Sequence, residues 1–509
     1  MRRLNRAAKN IMVGFGGHFL LIFFPFIVRA VMIKRLGIDY LGIGSLFSSI
    51  LGALTLAELG FGSAAVYFLY EPVAKGMTEK VNMLLAFYKR VFRIIGFAIL
   101  IIGLSLLPFL DKLISGSYPQ EINIYIVYCI QLAGTVISYF FFSYKCVLLS
   151  AALRDDVISL VSTCVNAAMY IVQIALLLLF RNYYTYAVVL PVCILLTNVI
   201  RSVICDKLYP QYRCQGQLPE TVKKDIYQRI AALFGHKLNR RVIQTADSVV
   251  ISSFLGLAIS GIYSNYYYIL YSVAVTTEMI TDVIRPIVGN YMVCEDESKS
   301  LQILHRFLFG FLWLTSFCCT SFVCLYQHFI TLWVGEAYLL GFSSVLLLAL
   351  YYWIWKMGDI FMLFRDAAGL WLKVKYYPYI SAVTNLAINI LLVKQIGING
   401  VILSTVLTLG LISIPCEIRS IFKNYFHCSP KETIFLLVKY TAVMMITTAA
   451  TFLFTQYVIG GSSIWRFILK GLACCIVPNG IFIALFRNTS EFAFYKDYCL
   501  EKIHRRGKI

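Results

Sequence analysis

The stretch RIAALFGHKLNRRVIQTADSVVISSFL, residues 229–255, is apolar enough to cross a membrane, yet it carries Lys237, Arg240, Arg241, Gln244 and Asp247. About 20 mostly apolar residues let a helix span the hydrocarbon. Positions 237, 240, 241, 244 and 248 follow the 3/4 spacing of a helix, so Lys237, Arg240, Arg241, Gln244 and Ser248 share one face. Counted from Arg229 at about 1.5 Å per residue, that face begins about 12 Å deep, beyond simple interfacial anchoring. A charge at mid-bilayer costs about 2.5–3.5 kcal/mol even on insertion scales. Three neighbouring cations are therefore expected to line a wet cavity that accepts an anion, and arginine's forked donors suit phosphate. The competing reading is snorkelling towards headgroups, open to Lys237 more than to Arg241.

The rest of the chain has the same apolar character. Of its 509 residues 60% are hydrophobic and 14% charged, with a mean hydropathy of +0.77, whereas charged residues make up about a quarter of soluble domains. The reading is an all-α, polytopic membrane protein. Apolar runs place spans near 10–33, 41–69, 88–109, 122–149, 157–180 and 184–205, then near 229–255, 261–292, 303–326, 339–363, 376–393, 399–421, 434–458 and 464–486, fourteen in all. The segments before span 1, after each even-numbered span and after span 14, together with the adjoining span ends, hold 33 of the 45 Lys and Arg, against six in the opposite loops and their margins. Positive residues stay inside, so both termini are expected in the cytoplasm. The net charge of +20 is thus topological and does not point to nucleic acid. The start, MRRLNRAAKN before a long apolar run, reads as an uncleaved first span.

The fifteen Cys are scattered without a C-x-x-C and the six His never space as His-x3-His, so the cysteines read as packing residues and no metal is expected. No Walker A sequence occurs and no outer loop exceeds about fifteen residues, which leaves no room for an ATPase or a soluble catalytic domain. Arg154-Asp155-Asp156 on a short inner loop is too slight a motif for enzyme chemistry and reads as a helix start. No catalytic residue is expected.

Internal similarity organises the chain. Leu36-Gly37 with Gly42 recurs as Leu255-Gly256 with Gly261, and Ser162 and Asn166 recur as Ser381 and Asn385, both at an offset of 219. Ile200-Arg201-Ser202 recurs as Ile418-Arg419-Ser420, and Gly17-His18 as Gly235-His236, both at 218. A duplication follows: a first six-helix lobe at 1–205, a connector at 206–228, a second six-helix lobe at 229–422, and spans 13 and 14 with a basic cytoplasmic tail at 423–509. Parallel six-span repeats place a central cavity between the lobes. In this register the counterparts of Lys237, Arg240, Arg241 and Gln244 are Phe19, Ile22, Phe23 and Phe26, so the anion site is expected to be asymmetric.

Other polar residues lie inside spans. Arg29 in span 1 and Lys356 in span 10 join Lys237, Arg240, Arg241 and Gln244 as candidate substrate contacts. Glu278, Asp282 and Arg285 share one face of span 8, Glu58 lies 220 residues before Glu278, and Lys356 with Asp359 forms an i, i+3 pair. Glu58, Asp247, Glu278, Asp282 and Asp359 are the candidate coupling-ion residues, with mutual pairing as the alternative. Asn166 and Gln173 in span 5, with Asn385 and Asn389 in span 11, form uncharged stripes that serve either sugar hydroxyls or interhelical hydrogen bonds.

Several short motifs in order carry a family resemblance over residues 1 to about 490. These are the basic N-terminus entering span 1, Leu36-Gly37-x4-Gly42, Glu58-Leu59-Gly60 with Gly62, the paired six-span lobes, and Gly397-Ile398-Asn399-Gly400 opening span 12. The chain resembles the polysaccharide flippases of the multidrug/oligosaccharidyl-lipid/polysaccharide exporter superfamily, the group that includes O-antigen flippases and the lipid II flippase. The resemblance implies translocation of undecaprenyl-pyrophosphate-linked oligosaccharide from the inner to the outer leaflet of the bacterial cytoplasmic membrane. It further implies alternating access coupled to H+ or Na+, with no other cofactor, and polysaccharide polymerase or glycosyltransferases as partners. The lipid tail would follow a groove beside spans 13 and 14. The alternative is a multidrug/cation antiporter of the same fold.

Overall fold

The computed structural model describes residues 17, 21–55, 61–374, 376–461 and 463–506, with the side chains of 63, 229, 231–244, 371–372 and 499–506 outside the description. Among the described residues the regular structure is helical throughout. Eight helices are long and apolar enough to cross a membrane, or ten if each of two bent pairs is one span. The protein is a multi-pass membrane protein, and the described parts of the fourteen apolar runs fall on helices or helix pairs.

The chain divides into two compact units, Met1–Ser264 and Asn265–Ile509. The first opens with α1 (residues 21–35) and α2 (Ile38–Leu54), followed by α3 (Phe61–Ala74) and α4 (Thr78–Ser105). After α4 the chain bends by 58° into the turn Leu107–Leu113, where Pro108 cannot supply a helical donor. α5 (Ile124–Phe140) and α6 (Ser143–Ala151) meet at 50°, across Phe142 in left-handed conformation at φ 64°. α7 (Asp155–Phe180) and α8 (Tyr183–Leu208) follow, then α9 (Glu220–Leu255) and the start of α10 (Leu257–Cys294). Side-chain caps set two of the starts: Asn123 accepts from the Tyr125 amide at 3.0 Å, and Asn182 from the Tyr184 amide at 2.8 Å. α2 packs on α9, and α5 and α7 pack on α8. The core holds Phe61 edge-on to Tyr88 and Phe92, with ring centroids at 5.5 and 5.1 Å, in the geometry aromatic pairs prefer.

Two joints in this unit repeat each other. Gly37 separates α1 from α2 at φ 116°, and Gly256 separates α9 from α10 at φ 88°. A side chain at either φ would be strained, so only glycine lets one helix follow another without a loop.

The second unit completes α10 and adds α11 (Glu297–Trp333), α12 (Phe342–Ala367), α13 (Tyr377–Ile396), α14 (Ile398–Phe426), α15 (Lys431–Ile459), α16 (Ile464–Phe486) and α17 (Ser490–Arg506). α11 is its axis, packing against α12, α15 and α16. Trp313 on α11 stacks on Phe482 of α16, with centroids 5.9 Å apart, and donates to Asn479 Oδ1 at 2.8 Å. α14 is interrupted by π turns at Leu409–Ser413 and Phe422–Phe426, either side of the α-helical segment Ile414–Ile421.

Helices extend beyond the apolar runs. α9 begins at Glu220, inside the segment read as connector, and α4 begins at Thr78 where the apolar run begins near 88. The tail after span 14 is not simply a basic extension: α17 docks on α11, with Tyr495 Oη donating to the Arg306 carbonyl at 3.1 Å.

Candidate substrate cavity and buried charge networks

α9 is helical from Glu220 to Leu255, the geometry that the spacing of its polar residues requires. The side chains of Lys237, Arg240, Arg241 and Gln244 lie outside the described residues, as does Glu58 altogether. One turn further on, Asp247 is buried and accepts from Tyr263 Oη at 3.2 Å, while its neighbour Ser248 meets Ser45 of α2 at 3.2 Å. The next residue on α10, Ser264, accepts from Arg29 Nη1 at 3.1 Å. Adjacent α10 residues thus hold a candidate coupling carboxylate of α9 and a candidate anion contact of α1. Aromatic rings surround its α1 side: Phe24 stacks on Tyr170 of α7 at 6.0 Å. On α7, Gln173 is buried and Asn166 half-buried.

In the second unit the structure pairs residues that the spacing assigned to different roles. Lys356 is fully buried, with Nζ 2.8 Å from Asp359 Oδ2 and 4.9 Å from the Trp355 ring centroid. A buried ammonium needs such a partner, since desolvation costs several kcal/mol per ion. Asp282 is exposed and takes its hydrogen bond from Arg285 at 3.2 Å, and Arg285 also lies 3.7 Å from Asp366. Glu278, one turn earlier, is half-buried. On α13, Asn385 and Asn389 are fully buried. Asn385 Nδ2 donates to Thr405 Oγ1 at 3.3 Å, and Ser381 meets Ser413 at 3.1 Å, both across to α14.

One network escaped the spacing argument. Arg365 and Glu417, each 2% exposed, pair directly, and Tyr377 Oη donates to the same carboxylate oxygen. Arg365 also reaches Asp366 Oδ1 at 2.6 Å, whereas Glu417 Oε2 is buried with no hydrogen-bond partner among the described residues. Together with Arg285 and Asp282 these groups tie α10, α12, α13 and α14 to one another. Arg365 looks in the sequence like one more cation of an inner loop, and Glu417 is a lone acid in IPCEIRS. Only helix packing puts them together.

No family model and no curated relative matches the chain. Solved structures do. The lipid II flippase MurJ in an inward closed conformation aligns with a TM-score of 0.67 at 14% identity, covering 94% of this chain and 99% of that one. An inward-facing multidrug resistance MATE family transporter of the MOP superfamily aligns at 0.63 and 13% identity, covering 81% of this chain and 97% of that one. A MATE transporter of Vibrio cholerae, VcmN, aligns at 0.53 and 12% identity, covering 83% and 99%. The chain has the fold shared by these transporters and flippases.

Proposed function

We propose that the protein is a flippase that moves a pyrophosphate-linked oligosaccharide on its polyprenyl lipid from the inner to the outer leaflet for surface polysaccharide assembly, by alternating access coupled to H+ or Na+. The cationic stretch of α9 carries the reading. Lys237, Arg240 and Arg241 place three donors for a compact multivalent anion within one helix of a transporter fold, and Arg29 adds a fourth cation in the same unit as α9. A multidrug exporter of cationic compounds gains nothing from such a face. The fold comparison adds to this, since the likeness to the flippase extends over 94% of the chain and that to the MATE transporters over 81% and 83%. In this reading the polar stripe of α7 meets sugar hydroxyls, while the buried Asn385 of α13 holds that helix against α14. The lipid tail remains in the bilayer. Polymerase and glycosyltransferases act on either side of the step.

The test is reconstitution of the purified chain in liposomes with a fluorescent polyprenyl-pyrophosphate oligosaccharide. Accelerated exposure of the label on the far leaflet is expected, and Arg240→Gln with Arg241→Gln should abolish it. The fold's likeness to MATE transporters also favours a second reading, drug export; a cation-driven flux of ethidium with no lipid-linked sugar movement would select that one.

A further inference from the structure

A cleft of about 560 Å³ opens between α14 and α15 where the two helices approach their shared turn. Its floor is apolar: Ile414, Ile418 and Phe422, successive i, i+4 positions on α14, and Leu437 of α15 are all buried. Its rim carries Arg419 and Lys423, one turn apart and both exposed. Neither cation has an ion pair or hydrogen bond among the described residues. The contrast with the first unit is informative. Arg201, the counterpart of Arg419 in the internal register, spends its guanidinium on Ser162 and on the Ile158 carbonyl at 3.1 Å.

The surface around the cleft suits the bilayer, since Ile434 on its lining and Phe435 next in sequence are 44% and 68% exposed on an apolar helix long enough to span it. A notch of this size facing hydrocarbon is filled by a chain, because a void forfeits the dispersion contacts of its lining. The rim then selects the headgroup. Positive charge close to the interface attracts anionic lipid about fivefold per residue, and basic pockets between spans on the cytoplasmic side hold anionic headgroups. The excess of Lys and Arg assigns this end of α14 to the cytoplasmic side.

We propose that the α14–α15 cleft is a binding site for an anionic phospholipid of the cytoplasmic leaflet, with the phosphate between Arg419 and Lys423 and one acyl chain along Ile414, Ile418 and Phe422. The site lies wholly in the second unit, and its argument does not rest on the identity of the transported molecule.

Native mass spectrometry of the delipidated full chain in detergent, titrated in turn with phosphatidylglycerol, phosphatidylcholine, polyprenyl phosphate and inorganic phosphate, tests this. Retention of phosphatidylglycerol over phosphatidylcholine is expected, with affinity for the former falling about tenfold or more in the Arg419→Gln/Lys423→Gln variant. Both side chains are exposed, so the variant folds. Ile418→Trp, which fills the notch and keeps the cations, should displace the same lipid. Equal retention of the two phospholipids, or an unchanged affinity in the double variant, overturns the proposal. Inorganic phosphate or polyprenyl phosphate outcompeting phosphatidylglycerol at equal concentration overturns the assignment to a membrane phospholipid.

Discussion

Gly42 and Gly261 sit against each other's helices: a Cβ on Gly42 would lie 2.1 Å from the Leu257 carbonyl oxygen, and one on Gly261 would lie 2.5 Å from that of Ile38 and 3.2 Å from the Gly42 amide. Ile38 and Leu257 are themselves 219 residues apart, like the two glycines. The contact exchanges its two halves under the internal register, as a self-complementary interface does about a two-fold axis. The recurring Leu-Gly-x4-Gly motif thus supplies the left-handed joint with its first glycine and backbone-to-backbone helix approach with its second.

Gly42→Ala and Gly261→Ala should each destabilise the protein by at least about 1–3 kcal/mol, because the obstructing atom is a backbone oxygen that cannot rotate away. Gly289→Ala, where no atom lies within 4 Å of the added carbon, is the control and should melt as the parent does. Thermal unfolding in detergent reads all three.

Removing one partner of the Arg365–Glu417 pair should cost more than removing both. Arg365→Ala leaves a buried carboxylate that already has one oxygen unpartnered, at about 3–5 kcal/mol, while Arg365→Met with Glu417→Met recovers most of the loss. Equal melting temperatures for the single and double variants would falsify the view that this pair is mutually neutralising.

Lys356 and Asp359 should behave in the same way if their 2.8 Å contact is the reason both are tolerated inside α12. Asp359→Asn is expected to destabilise by about 3 kcal/mol, and Lys356→Met in the same chain to restore stability. A stable Asp359→Asn protein that still binds substrate would instead return Lys356 to the role of a free anion contact.

Cys294 and Cys428 are exposed at helix ends that the charge bias puts in the cytoplasm. A membrane-impermeant maleimide should modify both in inverted vesicles and neither in intact cells. Labelling from outside would reverse the topology.

Span positions were legible because hydropathy reports the part of a helix that sits in hydrocarbon. Their ends were not. Lys80, Lys89, Arg90 and Arg93 lie on α4, and nothing stops a helix from continuing into water on charged residues with good helix propensity. The duplication was legible through glycines, whose backbone roles leave little choice of residue. Charged residues on one helix, such as Lys356 and Asp359, could be paired by spacing. Arg29 with Ser264, and Arg365 with Glu417, could not be, since residues distant in sequence meet only through packing. Asp247 and Arg29 are held by Tyr263 and Ser264, neighbours on α10, a relation that no spacing on α1 or α9 contains.

The two π turns of α14 have a consequence for chain length. Each holds one residue more than an α-helical turn, and one residue rotates everything beyond it by about 100°. Deleting Gly410 from the first turn would leave composition and hydropathy almost untouched, yet it would swing Glu417 away from Arg365 and carry Arg419 and Lys423 out of line with α15. In this helix a single deletion is a larger change than most substitutions, and alignments that slide a gap through Leu409–Ser413 would assign its charges to the wrong faces.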